Sequence, residues 1–251
     1  MKDQQTTGME IIGGINPVRE VLRARSRKVN RLYLAQGRTG KALAEIIQAA
    51  RANNIPLRQV DKQRLDKMYG GSGHQGVVAE VGALAYLDLS DIIDAVTGPR
   101  ALVLALDGVE DPMNLGALMR SAEAAGANGI VLPRERAAPL TATALKASAG
   151  AAEYLPVARV TNLVRALNEL KEAGFFVIGA DADADHSLYD QDLNLKLVLV
   201  IGGEGRGLRR LVRETCDVIV SIPLAGQISS LNASVAGAVA MFEYVRQGRK
   251  A

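Results

Sequence analysis

Tryptophan is absent from this 251-residue chain, and aromatic residues of every kind make up only 4% of it. This argues against stacking platforms of the sort that coat single-stranded nucleic acid, and any nucleic-acid contact must rest on charge and backbone more than on stacking. Cys216 is the single cysteine; no internal disulfide and no cysteine-based metal site can be assembled from it. A reducing cytoplasm is the expected compartment. No stretch approaches the roughly 18 uninterrupted apolar residues of a membrane span. The start, Met1-Lys-Asp-Gln-Gln-Thr-Thr-Gly8, has none of the apolar core that a secretory signal needs. These absences describe a soluble protein with no membrane partner and no metal, in which residues 1–10 are expected to form a frayed tail.

What is present is an ample apolar fraction, 48%, enough to cover one large core or two smaller ones. The net charge is only +3, yet its distribution is uneven: residues 1–80 hold 14 Lys+Arg against 7 Asp+Glu, and residues 81–251 hold 16 against 20. A basic module thus precedes a mildly acidic one. Such asymmetry suits polyanion binding by the first part, because phosphate contacts supply most sequence-independent affinity.

Before Gly82, β-like runs at Arg31 to Ala35, Pro56 to Val60 and Gly76 to Val81 alternate with helical patterns. In the helix expected over Lys41 to Asn53, Leu43, Ile46, Ile47 and Ala50 share a face. This predicts a small α/β domain over 11–82. Residues 83–100 read as a linker with a short helix. From Ala101 to the C-terminus, residues 101–251, continuous apolar strands alternate with amphipathic helices, the pattern of a parallel sheet covered on both faces. Strands are expected at Ala101 to Leu106, Gly129 to Leu132, Phe175 to Ala180, Leu195 to Ile201 and Val218 to Ser221. Helices are expected at Leu115 to Ala125, Asn162 to Ala173, Gly207 to Thr215 and Ala233 to Arg246.

In open α/β sheets ligands lie beyond the carboxyl ends of the strands, and three of the loops there are unusual. The first, Asp107-Gly-Val-Glu-Asp-Pro-Met-Asn-Leu-Gly-Ala-Leu-Met-Arg120, places Asn114 near a helix start, where capping is its ordinary role. Arg120, in an otherwise small and apolar helix, should face a cleft, a carboxylate or a phosphate, since an unpaired buried guanidinium is costly. The second, Gly202-Gly-Glu-Gly-Arg-Gly-Leu208, invites comparison with a dinucleotide fingerprint, but its glycines at 202, 203, 205 and 207 cannot give G-x-G-x-x-G. Glu204 would repel a pyrophosphate and suits a hydroxyl, an ammonium or an arginine. The third, Ile222-Pro-Leu-Ala-Gly-Gln-Ile-Ser-Ser-Leu-Asn232, leads into a helix rich in small residues, with Ser230 and Asn232 at its entrance. Asp181-Ala-Asp-Ala-Asp-His186 resembles an acidic metal loop but lacks the Gly and Glu that a calcium hand requires at its sixth and twelfth places. His74, in Gly-Ser-Gly-His-Gln-Gly-Val, fits either an RNA contact or a loop end.

Taken together, the three loops resemble the motifs of the SPOUT class of RNA methyltransferases, and within it the TrmH branch of ribose 2′-O-methyltransferases. Gly14-Ile-Asn-Pro-Val-Arg-Glu20 and His74-Gln-Gly-Val77 are similar to the L30e/L7Ae-type RNA-binding module attached to some of these enzymes. The resemblance covers about Ile11 to Gln247. It implies an α/β fold in which the C-terminal parallel-sheet domain is drawn into a trefoil knot, a homodimer, and S-adenosyl-L-methionine as cofactor. It further implies backbone contacts from Gly202, Ile222 and Leu231 to the adenosine part, and catalytic roles for Arg120, Asn114, Glu204, Ser230 and Asn232. The substrate it implies is RNA, with a guanosine of 23S ribosomal RNA foremost and transfer RNA the rival. A non-catalytic ribosome-binding factor and a dinucleotide-dependent oxidoreductase are the readings from other classes; neither accounts for all three loops.

Overall fold

The computed structural model describes residues 8–205 and 207–249. Most of the expected N-terminal tail, residues 1–7, lies outside the described residues, whereas Met9 and Glu10 already belong to a strand. The chain divides into two compact units, one of residues 1–85 with 140–154 and the other of residues 86–139 with 155–251.

The first unit holds a four-stranded sheet built from β1 (Met9–Gly13), β2 (Val29–Ala35), β3 (Leu57–Val60) and β4 (Val77–Gly82) in the order β1-β4-β2-β3. Helices α1 (Ile15–Ala24) and α2 (Lys41–Ala52) cover one face, burying Val18, Val21, Leu43, Ile46 and Ala50 against Ile12, Leu32 and Leu34. Ile47, expected on the same face of α2, is only half-buried. Helix α3 (Lys62–Tyr69) packs Leu65 on the other face against Tyr33, Ala35 and Val78. Its N-cap is Asp61, whose carboxylate accepts from the Arg64 backbone N–H, and Gly70 ends it in the left-handed conformation, a combination that fixes both ends of a short helix.

The sequence pattern held no hint that residues 140–154 belong with this unit. They form helix α4 (Ala142–Ala147) and a single 3-10 turn at Ala151–Glu153, tied down by a buried ion pair. Glu153 accepts from Arg27 Nη2 at 2.6 Å and Nε at 3.1 Å and from Ser26 Oγ at 2.6 Å. The Arg27 and Glu153 side chains are each only 4% exposed. Arg27 also donates to Glu10 and to the Gly82 carbonyl, which satisfies most of its fork.

The second unit is a seven-stranded parallel sheet. Its strands are β5 (Ala101–Asp107), β6 (Gly129–Pro133), β7 (Val157–Val160), β8 (Phe176–Ala180), β9 (His186–Ser187), β10 (Lys196–Gly202) and β11 (Val218–Ser221), in the order β7-β6-β5-β10-β8-β11-β9. Every residue of β5 is buried, as expected of a central strand covered on both sides. Ala101, Val103 and Ala105 pack with Leu163, Leu167 and Leu170 of α5 (Leu163–Glu172) and with Leu89 and Ile92 of α6 (Leu89–Asp94), so the stretch that reads as a linker contributes to this core. On the other side lie α7 (Pro112–Ala124) and α8 (Ala233–Gly248), which pack on each other. Gly237 of α8 sits where a Cβ would collide with the Leu118 side chain and come 3.5 Å from Ile201, so a larger residue there would force Leu118 to move. Among the described residues no helix is long and apolar enough to cross a membrane.

The strands β7, β9 and β1 had no counterpart in the sequence pattern. The first two are short or at the sheet edge, where alternation and apolar runs carry little signal.

Candidate active site

Register brings the carboxyl ends of the central strands to one level: Gly202 of β10 pairs with Asp107 of β5, and Ile201 with Ala180 of β8. The loops leaving them therefore meet. The Gly203 N–H donates to the Asp107 carbonyl at 2.8 Å. A Cβ on Gly203 would run into the Gly108 carbonyl oxygen, and one on Gly202 would run into the Gly207 carbonyl carbon. Side chains at these two positions would collide with backbone, which cannot swing away as a side chain can.

At this junction Asn114 from the first turn of α7, Glu204 from the loop after β10 and Asn232 from the entrance of α8 come together. Glu204 Oε1 accepts from Asn114 Nδ2 at 2.9 Å and from Asn232 Nδ2 at 2.6 Å, and Asn232 Nδ2 also reaches Asn114 Oδ1 at 3.0 Å. An ionised carboxylate only accepts, so it turns both amides to present their NH2 groups and fixes their oxygens in turn. Among the described residues the side chains that donate to Glu204 are two amides, where the sequence suggested a hydroxyl, an ammonium or an arginine.

Capping explains part of this arrangement. Asn232 is indeed the N-cap of α8, its Oδ1 accepting from the Ser234 and Val235 backbone N–H groups while its Nδ2 serves Glu204. Asn114 is not a cap: Asp111 caps α7, with Pro112 in the first turn, and Asn114 is buried within that turn. Pro112 is pre-organised for that first turn and loses no hydrogen bond there.

A cavity of about 790 Å3 lies against this triad and is lined by Gly202, Glu204, Ile222, Ser230, Leu231 and Asn232. It contains all the expected cofactor contacts and four of the five expected catalytic residues once Asn114, bonded at its edge, is included. Asp181 and Asp183 also line it. They belong to the acidic turn whose metal-loop resemblance fails; their position right after β8, at the carboxyl edge of the sheet, was the signal that they face the ligand side. Asp181 is held by Arg213 at 2.6 Å. Among the described residues no group of three or more His, Cys, Asp or Glu is placed to hold a metal ion.

Arg120 is the exception. It is exposed on the outer side of α7 and is not among the residues lining the cavity. Six residues beyond Asn114, it points about 120° away around a helix of 3.6 residues per turn. Among the described residues no carboxylate is bonded to it, and exposure removes the desolvation cost on which that expectation rested.

His74 resolves toward the structural role. It is 2% exposed, its Nδ1 accepts from the Gly76 N–H at 3.0 Å and its Nε2 meets Asp66 Oδ1 at 2.9 Å. Burial, the largest influence, pushes the Cys216 thiol up to about 12, which disfavours the thiolate at neutral pH.

A glycine-lined cavity at the carboxyl edge of a parallel sheet, walled by a carboxylate that two asparagines hold in place, is the candidate ligand site, and its glycine spacing is not that of a dinucleotide fold. Residues 101–242 match the SpoU rRNA Methylase family, and residues 11–87 match the RNA 2′-O ribose methyltransferase substrate binding domain. The chain belongs to the SpoU rRNA methylase family and is an S-adenosylmethionine-dependent RNA ribose methyltransferase. It is 42% identical over 239 residues to the 23S rRNA (guanosine-2′-O-)-methyltransferase RlmB of Escherichia coli, covering 95% of this chain and 98% of that protein. It is 45% identical over 236 residues to YacO of Bacillus subtilis, a putative TrmH family tRNA/rRNA methyltransferase by its description, covering 93% of this chain and 94% of that one. Among solved structures, the SpoU methyltransferase AviRb of Streptomyces viridochromogenes in complex with AdoMet superposes with a TM-score of 0.81 at 28% identity, covering 100% of this chain and 95% of that one.

Proposed function

We infer that this protein methylates the 2′-hydroxyl of a guanosine in 23S ribosomal RNA. The observation that carries the reading is the Asn114–Glu204–Asn232 triad at the wall of the cavity; its residues are those of the three resembling motifs, and RlmB of E. coli, named for that reaction, is similar over nearly the whole chain.

The residues fit S-adenosylmethionine. Ile222, Leu224 and Leu231 offer an apolar wall for an adenine, nothing lies within 4 Å of a Cβ built on Gly205, and Asp181, Asp183 and Glu204 supply negative charge toward a cationic ligand. Backbone groups of Gly202, Ile222 and Leu231 would hold the adenosine part. When bound, the cofactor supplies an electrophilic methyl on a sulfonium leaving group, so the protein has chiefly to position the acceptor and manage one proton. Glu204, anchored by both amides, with Asn114, Asn232 and Ser230, orients the ribose at the cavity mouth. The 2′-oxygen gains the methyl and loses its proton to a neighbouring phosphate oxygen or to water. Arg120 holds that phosphate and steadies the developing alkoxide; with a pKa above about 12 a guanidinium is no general base.

Because Arg120 faces away from its own cavity, the reading includes a homodimer in which this face meets a second copy. Supporting it, α8 presents Val235 and Phe242, 48% and 49% exposed, and α7 presents Met113, 56% exposed, on the same outer side as Arg120. Phe242→Glu should therefore yield the mass of a single chain in light scattering and a large loss of turnover; a dimer of unchanged mass would refute this face as the interface.

The trefoil knot belongs to the same reading and is supported by the close backbone approach of Gly202 and Gly203 to neighbouring loops. So do the cytoplasmic location, the L30e/L7Ae likeness of the basic first unit and its RNA-binding role. To test the reading, purified protein is incubated with 23S rRNA and with tRNA in the presence of labelled S-adenosylmethionine, and 2′-O-methyl positions are mapped. Labelling of a 23S guanosine is expected. Labelling of tRNA alone would move the substrate, and absence of cofactor binding in calorimetry would overturn the assignment.

A further inference from the structure

Two cavities on the second unit share arginines that the triad and the cofactor cavity do not use. The inner one, about 410 Å3, opens beside Asn114 and Glu204 and is lined also by Glu110, Asp111, Arg136 and Arg209. The outer one, about 650 Å3, is lined by Arg136, Arg209 and Arg210 together with Glu135 and the Thr161–Val164 turn. Arg136 and Arg209 line both, so the two adjoin, and the inner one shares Gly203, Glu204, Gly207 and Ala233 with the cavity beside the triad; the adjoining pair is called the trough below.

The charges along this trough are graded. At the inner end carboxylates outnumber arginines, and Asp107 is balanced by Arg209, which donates its Nε at 2.5 Å and its backbone N–H at 2.8 Å. The outer end has three arginines against Glu135. Among the described residues the Arg209 side chain bonds through Nε, its terminal amino groups bond none of them, and it is 42% exposed. Arg210 is exposed and bonds Glu214 at 2.7 Å, a pair of the kind that contributes little on a surface. Arg136 sits at a tight turn with φ 57, a left-handed conformation that costs a non-glycine residue about 1 kcal/mol or more. Nothing in the fold of the turn calls for arginine there; glycine would be the relaxed choice.

We propose that this trough carries the RNA strand flanking the target nucleotide, with Arg136, Arg209 and Arg210 gripping its phosphates. Phosphates stay at the outer, cationic end, because Glu110 and Asp111 would repel them further in. The inner pocket then receives the nucleoside itself, whose sugar hydroxyls and base N–H groups donate to carboxylates and amides. The guanidinium fork matches phosphate oxygens in pairs. This rests on the methyltransferase reading and adds the route by which the acceptor enters.

The test uses the full chain carrying Arg136→Gly, which suits the turn backbone, alone and combined with Arg210→Gln; Lys196→Gln, at the far end of β10, is the control. Affinity for whichever RNA the wild type methylates is measured by filter binding across a salt series. Arg136→Gly should weaken binding about 3- to 10-fold and the double variant about 10- to 100-fold. The slope of log K against log salt should shrink by about 0.7–0.9 for each phosphate that is no longer gripped. KM for RNA should rise while turnover at saturating RNA and S-adenosylmethionine affinity hold. Lys196→Gln should leave all of these unchanged. RNA affinity and salt slope unchanged in the double variant, in a preparation whose wild type methylates RNA, would overturn the trough; a wild type that fails to bind S-adenosylmethionine would instead overturn the underlying reading.

Discussion

Replacing Arg120 by Ala should lower methyl transfer by about 10²- to 10³-fold, the range seen when one group stabilising a developing oxyanion is removed, while S-adenosylmethionine binds as before. The reason lies in geometry. Apart from Arg213, the residues that line the cavity belong to the carboxyl edge of the sheet and to the loops and helix start that follow it, whereas Arg120 stands exposed on the outer side of α7. It cannot be gripping the cofactor within its own chain, so calorimetry should return an unchanged dissociation constant. Arg120→Lys retains the charge but not the planar fork, and should recover only a small part of the turnover. Near-complete activity in the Lys variant would sink the two-point phosphate grip, and loss of cofactor binding in the Ala variant would sink the separation of roles.

The second large effect concerns stability. Glu153→Ala removes the partner of Arg27 in a pair whose side chains are each 4% exposed. Breaking a buried pair by deleting one member leaves an uncompensated charge and costs about 3–5 kcal/mol. Glu10 still reaches Arg27, but it is 31% exposed, so it offsets only part of that cost. Denaturant unfolding followed on a probe in the first unit should show the midpoint falling accordingly. The double variant Arg27→Met with Glu153→Leu should regain most of the stability, because apolar replacement of both members avoids the stranded charge. A single variant within about 1 kcal/mol of wild type, well below the cost of a broken buried pair, would show that the 140–154 segment is not held by this pair.

Much of the second unit was legible in the sequence because its strands are buried on both faces. Five continuous apolar runs separated by helical periodicities leave few alternatives to a parallel sheet, and β11 matches its expected limits, Val218–Ser221. The three motif loops were legible for the same reason: strand ends mark where ligands lie. What stayed hidden depends on partners distant in sequence. Nothing in the neighbourhood of Asn114 says that Asp111 will take the cap and leave the asparagine free for a carboxylate 90 positions away. Glu204 looked out of place among glycines because its partners arrive on two helix starts. Asp181 looked like a metal decoy and the burial of Glu153 left no trace, since periodicity registers burial of apolar residues and not of paired charges.

The Arg27–Glu153 pair also sets an order of events during synthesis. When β1 to β4 leave the ribosome, all four strands of the first sheet are available, yet the guanidinium that the fold will bury still lacks its main counter-charge. That carboxylate is translated only after β5, α7 and β6 of the second unit. Until residue 153 has been made, Arg27 has Glu10 but not Glu153 to pair with, and a gene fragment ending at residue 85 encodes a chain that lacks the segment carrying that carboxylate.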